Sequence, residues 1–255
     1  FEHLPAGRVR FLAELYGEQH TDLPCDFLCC RHTLEHIHPT NEFIAHMRRV
    51  VGDNYGCVVF FEVPDVQRVL REQAFWDIYY EHCSYFSLGS LARVFRANGF
   101  EVVELEKDFD DQYLLIVARP ADGPTEPELP QEHDLETMAA DVERFATQVR
   151  PRIDGLRAHV QAVKGRGGNV AIWGSGSKCV SFLSTVGVAD DVSAVIDINP
   201  YRHGKFLAGS GKQVVSPESL KTAPADVIFV MNPIYTEEIQ ADLDVMGVRA
   251  ELVPV

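Results

Sequence analysis

The sequence predicts an α/β protein with two successive units, each built around a sheet. Short stretches rich in valine, isoleucine and phenylalanine alternate with helix-like segments, first before residue 119 and again after residue 168. Between them, over residues 120–133, proline and acidic residues are concentrated. Alternating strands and helices are typical of a sheet covered by helices, and a proline-rich change of composition indicates a linker. We therefore predict units at 1–119 and 134–255, joined by a linker at 120–133.

The first unit is predicted to alternate strands and helices. Apolar and β-branched stretches predict strands at 9–15 (VRFLAEL), 26–30 (DFLCC, expected to be buried), 56–63 (GCVVFFEV), 100–106 and 112–118. The last two flank an acidic turn and predict a closing hairpin. Residues 39–51 have apolar side chains on one helical face, with Thr40 as the expected cap. A second helix is expected to follow Ser87 and to end at Asn98–Gly99.

The second unit is predicted to begin with one long helix. Apolar residues recur at steps of three and four from Leu135 to Val163, which is the period of an amphipathic helix, and Pro151 is expected to kink it. The stretches NVAIWG, VSAVID and ADVIFV then predict strands separated by turns and helices. This repetition is typical of a parallel sheet.

Composition excludes several classes of function. The 255 residues carry a formal net charge of −15, so binding to nucleic acid or to an anionic membrane surface is not expected. No apolar run approaches the roughly 20 residues that span a bilayer. The six scattered cysteines favour a reduced, cytoplasmic protein, and without CxxC pairs they predict no metal site. The start FEHLPAGRV has no initiating Met and no signal peptide, which favours a piece of a longer product.

A glycine turn in the second unit raises the question of a nucleotide site. Gly174-Ser175-Gly176 follows a predicted strand and opens a helix, where backbone N–H groups can bind phosphate. Asp197 ends the next strand, at the position of a ribose-binding carboxylate in dinucleotide folds. Cys179 replaces the third glycine of that fingerprint. Two hypotheses stay open: an NAD(P)-binding oxidoreductase, or a non-catalytic unit that serves packing, assembly as a homodimer, or the holding of part of a substrate.

Polar residues also cluster directly after the stretch DFLCC. The segment CRHTLEHIHP begins at the carboxyl end of a predicted strand, the edge where open α/β sheets bind ligands. The candidate binding residues in it are Arg31, His32, Glu35 and His36. His38 is expected to cap the next helix or to face water. His32 and His36 are four residues apart, but no third ligand lies at helical spacing, so metal binding is not predicted.

The segment FWDIYYEHCSYFS, residues 75–87, places six aromatic side chains around the adjacent pair Glu81 and His82. An imidazole with a pKa near ~6.5 can exchange a proton at neutral pH, and aromatic neighbours can exclude water from it. Glu81 can raise the basicity of an imidazole or bind a substrate hydroxyl. The residues alone leave two interpretations open: a catalytic site, or a hydrogen-bonded histidine of the core.

Together these motifs resemble those of the sugar C-methyltransferases that use S-adenosyl-L-methionine and carry an extra C-terminal Rossmann-like domain. The resemblance lies in the segments CRHTLEHI, FEVPD, FWDIYYEHCSYFS, FDDQYL, WGSGSK and MNPIYTEEI, and it covers essentially the whole chain. It implies that the first unit is part of a class I methyltransferase sheet. It also implies methyl transfer from S-adenosyl-L-methionine to a carbon, typically on a nucleotide-linked keto-deoxysugar as the small-molecule substrate.

The resemblance further implies roles for individual residues. His82 matches the general base that removes a proton beside the ketone, Glu81 and Tyr79 match residues that orient the sugar, and His36 matches a residue of the same pocket. The residues expected to touch the cofactor are Cys30, Arg31 and His32. A deprotonated carbon next to a ketone also needs a group that stabilises the enolate oxygen. The aromatic walls expected to exclude water are Tyr79, Tyr80, Tyr85 and Phe86.

Two departures from the family pattern bear on the expectations. In the family, the matching residues follow a zinc-binding domain and a glycine-rich cofactor loop, so we expect this chain to be the C-terminal portion of such an enzyme. A Gly-Gly pair near the closing hairpin is replaced by Asp110-Asp111-Gln112. This difference leaves the identity of the acceptor open.

Overall fold

The computed structural model describes residues 9–23, 25–123, 125 and 127–255, and its strands form two sheets. The first sheet has the order β1-β2-β4-β3 and consists of β1 (Phe27–Arg31), β2 (Val58–Pro64), β3 (Phe100–Asp108) and β4 (Tyr113–Pro120). β1 and β2 are parallel, whereas β3 and β4 form an antiparallel hairpin against β2. The predicted Rossmann-like sheet with a closing hairpin is confirmed.

Helices α1 (Thr40–Val51), α2 (Val66–Glu72) and α3 (Leu88–Ala97) accompany this sheet. α1 and α3 follow the apolar period of the sequence and bury that face in the core. α3 starts where it was predicted, because the Ser87 hydroxyl accepts the backbone N–H of Ser90. α2 was not predicted. It is seven residues long and is capped by Asp65, whose carboxylate accepts the N–H of Gln67.

Three details of the predicted first unit are wrong. Residues 9–15 form no strand, and Phe11 and Leu15 are exposed there, because this stretch pairs with no strand in the described part of the chain. β1 is not buried: its side chains alternate between exposed and half-buried, since it has a strand neighbour on one side only in the described sheet. Thr40 does not cap α1 but donates its hydroxyl to the carbonyl of Ile37.

The predicted linker is tied to α3. The carboxylate of Glu132 accepts two hydrogen bonds from Arg96, at 2.6 and 2.8 Å. One residue beyond the predicted linker, Asp134 accepts the backbone N–H of Gly89 at 2.8 Å. Pro124 lies outside the described residues. The boundaries at 119 and 134 stay a prediction.

The second sheet is entirely parallel, as predicted, with the order β7-β6-β5-β8-β9. Its strands are β5 (Val170–Trp173), β6 (Val192–Ile196), β7 (Val214–Val215), β8 (Val227–Val230) and β9 (Glu251–Pro254). In this order the chain reverses direction across the sheet between β5 and β8, which is where open α/β sheets form a crevice for ligands. The helices are α4 (Leu135–Gly165), α5 (Ser177–Val186) and α6 (Thr236–Met246), and α4 runs through Pro151 without interruption.

The two sheets are connected by contacts around the 3-10 turn Phe75–Asp77. The ring of Phe75 stacks on that of Phe182 of α5, with centroids 6.3 Å apart. The Ser181 hydroxyl, also on α5, donates to the carbonyl of Ile78 at 3.2 Å. The segment that carries His82 therefore starts at the junction of the two sheets. None of the helices in the described ranges combines the length and apolarity that crossing a bilayer requires.

Candidate active site

The segment around His82 crosses the carboxyl edge of the first sheet. The short 3-10 turn Leu34–His36 follows β1 at this edge, and the carbonyl of Glu35 accepts the backbone N–H groups of Cys83 and Ser84, at 2.9 and 3.1 Å. These bonds hold residues 79–86 against the end of β1. The two motifs that the sequence analysis singled out independently therefore lie side by side.

Three ring side chains surround each other at this point. The rings of Tyr79 and His82 have centroids 4.2 Å apart, and those of His36 and His82 are 5.0 Å apart in an edge-on arrangement. Nδ1 of His36 lies 2.8 Å from the carbonyl oxygen of Glu81. Because a carbonyl only accepts hydrogen bonds, Nδ1 of His36 carries a hydrogen. The structure thus brings together all four residues that the resemblance placed at the acceptor.

Burial controls the protonation of this cluster. Desolvation, and then the nearby His36, lower the pKa of His82 below its usual value. Desolvation, and then the acidic neighbours, raise the pKa of the Tyr79 phenol. Desolvation also raises the pKa of Glu35, whose Oε2 is buried without a hydrogen-bond partner. At neutral pH His82 is therefore a free base, and Tyr79 keeps its phenolic hydrogen.

A cavity of about 280 Å³ opens at this cluster. It is lined by the rings of Tyr79, His82, His36, His32 and Tyr113 together with Glu35, Glu81, Asp65, Asp77, Arg68, Lys178, Gln112, Pro64 and Val69. His82 is half-buried and Glu81 is exposed, so both are accessible from this space. His82 is thus not packed into the core.

The predicted aromatic wall is only partly correct. Tyr80 is fully exposed and Phe86 is buried in the core of the first sheet, so neither lines the cavity of His82. Tyr85 lies close by, with its ring centroid 6.2 Å from that of His82. From Glu81 to Tyr85 the side chains alternate between exposed and half-buried, so neighbours in this stretch of the sequence differ in exposure. Tyr113, which the sequence analysis did not single out, lines the cavity instead of Tyr80 and Phe86.

Of the three residues expected to touch the cofactor, only His32 lines the cavity. His32 has a left-handed backbone (φ +47), its Nε2 lies 2.7 Å from Glu62, and its ring packs against Tyr113 with centroids 4.6 Å apart. Arg31 is exposed and forms two hydrogen bonds with Glu62, at 2.9 and 3.0 Å. Burial raises the pKa of the Cys30 thiol to about 11, so this thiol is protonated.

The described residues include one group with metal-ligand chemistry: Glu35, His36 and His82. Their ligand atoms lie within 4.8 Å of one another. Ligands at about 2.1 Å from a tetrahedral ion are only about 3.4 Å apart, so this set is more open than a formed zinc site. It differs from the pair His32 and His36 that the spacing had singled out. The absence of a metal stays a prediction.

The second sheet contributes Lys178 to the same cavity. Lys178 lies in the first turn of α5, and its Nζ is 3.0 Å from Oδ1 of Asp77. The other residues that line the cavity come from the first sheet and its connections. The Gln112 amide nitrogen also reaches across, 3.3 Å from the Asn232 side-chain oxygen. Sequence reasoning did not find Lys178 because its partners lie far away in the chain.

The glycine turn after β5 differs from a dinucleotide site. One oxygen of Asp197 accepts both the backbone N–H and the hydroxyl of Ser175, and the other accepts the N–H of Asn199. Arg202 lies 3.3 Å from the same carboxylate. Burial acts to raise the pKa of Asp197, but these donors outweigh it and lower the pKa. The carboxylate that would bind a ribose is therefore occupied by the protein itself.

Two family models match the chain. A methyltransferase domain matches residues 6–105, and a C-methyltransferase C-terminal domain matches residues 126–252. Among curated proteins, the chain is similar to the C-methyltransferase NovU of Streptomyces niveus, with 29% identity over 247 residues. The similarity covers 93% of this chain, and the chain spans 58% of the length of that relative.

The matches agree with the two-sheet architecture. The methyltransferase model covers β1, β2 and the cluster around His82, and the C-terminal model covers α4 to α6 and the second sheet as far as the start of β9. The cofactor that this family implies is S-adenosyl-L-methionine, as the motifs predicted. The two matches therefore identify a methyltransferase domain followed by the C-terminal domain of C-methyltransferases.

Proposed function

We propose that the protein transfers a methyl group to a carbon atom beside a ketone, with His82 as the general base. The observation that carries this proposal is the position of His82 in the cavity at the ligand-binding edge of the methyltransferase sheet. Its lowered pKa leaves the imidazole neutral and able to accept a proton at neutral pH. A histidine of the packed core would have no such access.

The chemistry assigned to His82 is the removal of one proton. The imidazole takes the hydrogen from the carbon next to the ketone, and the electron pair of that C–H bond moves toward the carbonyl oxygen. The carbon would then bond to the donated methyl group while the carbonyl re-forms, and the electron pair of the broken sulfur–methyl bond would stay on the donor sulfur as a neutral thioether. His82 keeps the proton until the products leave and water removes it.

The residues around the cavity fit a positively charged methyl donor. When bound, S-adenosyl-L-methionine supplies an electrophilic methyl group on a sulfonium. A cation is attracted to the faces of aromatic rings, and Tyr79 and Tyr113 both line the cavity. His32, at the end of β1, is the predicted cofactor-contact residue that reaches this space.

A nucleotide-linked keto-deoxysugar fits the space next to this cavity. A second cleft of about 640 Å³ shares Tyr79 and Glu81 with the cavity of His82. Its other walls include the start of α5 at Ser177 and the exposed side chains of Lys205 and Phe206. Helix N-termini and cations bind phosphate groups, and exposed rings can pack against a base. The sugar would then lie at His82 and the diphosphate beside α5.

The neighbours of His82 receive supporting roles. Tyr79, which keeps its hydrogen, donates a hydrogen bond to an oxygen of the sugar, and the exposed Glu81 accepts one from a sugar hydroxyl. The backbone carbonyl of Glu81 also fixes His36 through Nδ1. His36 therefore presents its other nitrogen to the cavity.

Replacement of the proposed base tests this function. The His82→Gln variant of the full-length protein is assayed for methyl transfer to a thymidine-diphosphate-linked 4-keto-6-deoxyhexose. We expect turnover to fall by about 10²–10⁴-fold, the usual contribution of a general base, while binding of the methyl donor is unchanged by calorimetry. His38→Gln, an exposed histidine outside the cavity, is the control and should keep wild-type turnover. Unchanged turnover in His82→Gln would refute the base assignment.

A further inference from the structure

We propose that Lys178 supplies the positive charge that stabilises the enolate oxygen when His82 deprotonates the acceptor. This assignment rests on the proposed function and adds a catalytic residue from the C-terminal domain. It makes that domain part of the catalytic machinery rather than only a holder for the substrate.

Lys178 reaches the reaction cavity from the opposite side of the domain junction. It belongs to the first turn of α5, its side chain is 28% exposed, and it lines the same cavity of about 280 Å³ as His82. It also lines a neighbouring cavity of about 390 Å³ at the carboxyl end of the second sheet. The ammonium group is therefore accessible to a molecule bound at His82.

Two cationic side chains of the described chain line the cavity, Arg68 and Lys178, and they differ in how far carboxylates already neutralise them. The guanidinium of Arg68 is 2.9 Å from Glu72 and 3.8 Å from Asp77, and its side chain is only 10% exposed. The ammonium of Lys178 contacts one oxygen of Asp77. An ammonium has three donors, so Lys178 has two left for an incoming oxygen. Lys178 is thus the cation best able to bind a new negative charge.

The carboxylates that line the cavity leave the positive charge of Lys178 able to bind an incoming anion. They are Glu35, Asp65, Asp77 and Glu81. Asp65 is paired with Lys107, and burial raises the pKa of Glu35 and so favours its neutral form. Asp77 is the carboxylate in direct contact with Lys178. One ion pair therefore holds the ammonium without occupying all its donors.

The position of the ammonium is set before any substrate binds. Asp77 is 13% exposed and ends the 3-10 turn that begins at Phe75, whose ring stacks on Phe182. The Ser181 hydroxyl, one turn after Lys178 on α5, binds the carbonyl of Ile78. Donors held in place where charge develops stabilise a transition state at no reorganisation cost.

In the proposed step, the C–H electron pair forms the enolate double bond and the charge appears on the former ketone oxygen. The proton goes to His82. Lys178 keeps all its hydrogens and binds the enolate oxygen with one or two of them. When the carbon has taken the methyl group, the ketone re-forms and the oxygen loses its charge. Lys178 therefore leaves the step unchanged.

The experiment isolates deprotonation from methyl transfer. The full-length protein is incubated in heavy water with a thymidine-diphosphate-linked 4-keto-6-deoxyhexose and no methyl donor, and deuterium incorporation beside the ketone is measured by mass spectrometry. We expect Lys178→Met to lower the exchange rate by about 10²–10³-fold, the usual effect of removing one oxyanion donor. Lys178→Arg, which keeps the charge, should lose about tenfold or less. Lys164→Met, on the exposed end of α4, is the matched control and should exchange normally.

A second comparison separates charge from structure. Asp77→Asn removes the same ion pair but keeps the ammonium, so it should slow exchange far less than Lys178→Met. The double variant Lys178→Met/Asp77→Asn leaves no unpaired carboxylate and should be as slow as Lys178→Met alone. Melting temperatures identify any variant that is merely unfolded. If Asp77→Asn and Lys178→Met lowered the exchange rate equally, Lys178 would act only through its ion pair with Asp77, and the proposal would be overturned.

The remaining outcomes distinguish this proposal from the one it rests on. Normal exchange in Lys178→Met, with exchange lost in His82→Gln, overturns the role of Lys178 and leaves His82 as the base. No exchange in the unmodified protein refutes the keto-sugar acceptor, and the assignment of Lys178 falls with it.

Discussion

The imidazole rings of His36 and His82 meet edge to face, with centroids 5.0 Å apart and planes at 79°. Two imidazoles at this distance resist being protonated together, because like charges in a partly desolvated site repel each other. His36 is also fixed through its Nδ1 by the carbonyl of Glu81. The pair therefore holds His82 in the form that accepts a proton.

This relationship predicts the pH dependence of the reaction. Desolvation and His36 both lower the pKa of His82, and the neutral form, which is the active one, prevails above that pKa. The rising limb of kcat/KM against pH should therefore have its midpoint below about 6.5 and be flat at neutral pH. In His36→Gln, whose amide can still donate to Glu81, the midpoint should move upward but only part of the way. A midpoint above 6.5 in the unmodified protein, or no shift in the variant, contradicts this assignment.

Gly89 is predicted to be the most size-sensitive position of α3. A Cβ atom there would lie 2.2 Å from Oδ1 of Asp134 and 2.5 Å from the backbone oxygen of Glu132, so the attachment of the linker region to α3 would have to shift. Gly89→Ala should lower the free energy of unfolding by about 1–3 kcal/mol in urea titrations. Gly155→Ala is the control, because Gly155 lies inside α4 with open space around its Cβ position. It should be neutral or stabilising by up to about 1 kcal/mol. Equal stability of the two variants would show that the linker is not attached in this way.

The pair of Arg96 and Glu132 predicts a loss of stability in acid. Desolvation acts to raise the pKa of Glu132, but the hydrogen bonds from Arg96 and from the backbone of Leu129 outweigh it and lower the pKa. A lowered carboxyl pKa stabilises the folded protein above the unfolded value of about 4.3, and this contribution is lost as the pH falls through the folded pKa.

Glu132→Gln should therefore be less stable than the unmodified protein by about 3 kcal/mol at pH 7, because the largely buried Arg96 loses its partner. The difference should shrink once the pH falls below about 4. Glu128→Gln, which removes an exposed carboxylate 3.7 Å from His133, should change stability by less than about 1 kcal/mol. Chemical denaturation of the unmodified protein and the variants at pH 7 and below pH 4 measures these differences. A loss of stability in Glu132→Gln that is the same at both pH values would contradict the prediction.

The engagement of Asp197 predicts that the second sheet does not bind NAD(P). Both carboxylate oxygens already accept hydrogen bonds from Ser175 and Asn199. A fluorescence titration with NADH should therefore show no saturable binding, and Asp197→Asn should lower the melting temperature instead. Saturable binding that weakens in Asp197→Asn would support the oxidoreductase hypothesis and contradict this prediction.

Local sequence signals were sufficient for most of the helices and strands. The apolar period of α1, α3 and α4, the cap at Ser87 and the acidic turn of the hairpin all act over a few residues, so the sequence carries them directly. The two strand predictions that failed concern segments that depend on their neighbours in the sheet. Residues 9–15 have the composition of a strand but pair with none in the described chain, and β1 is only partly buried because it has a strand on one side alone among the described residues.

The motifs around His36 and His82 carry the resemblance to the sugar C-methyltransferases and the expectation of an acceptor site there, because both stand next to recognisable strand ends or aromatic runs. Three features follow from packing alone: the contact of the two rings at 5.0 Å, the buried Oε2 of Glu35 without a partner, and the position of Lys178, which reaches the cavity from the second sheet. Such contacts join residues far apart in the chain, where no short-range pattern records them. The sequence by itself pointed to His82 as the proposed base, and the packing of the two sheets decided which charged side chains surround it.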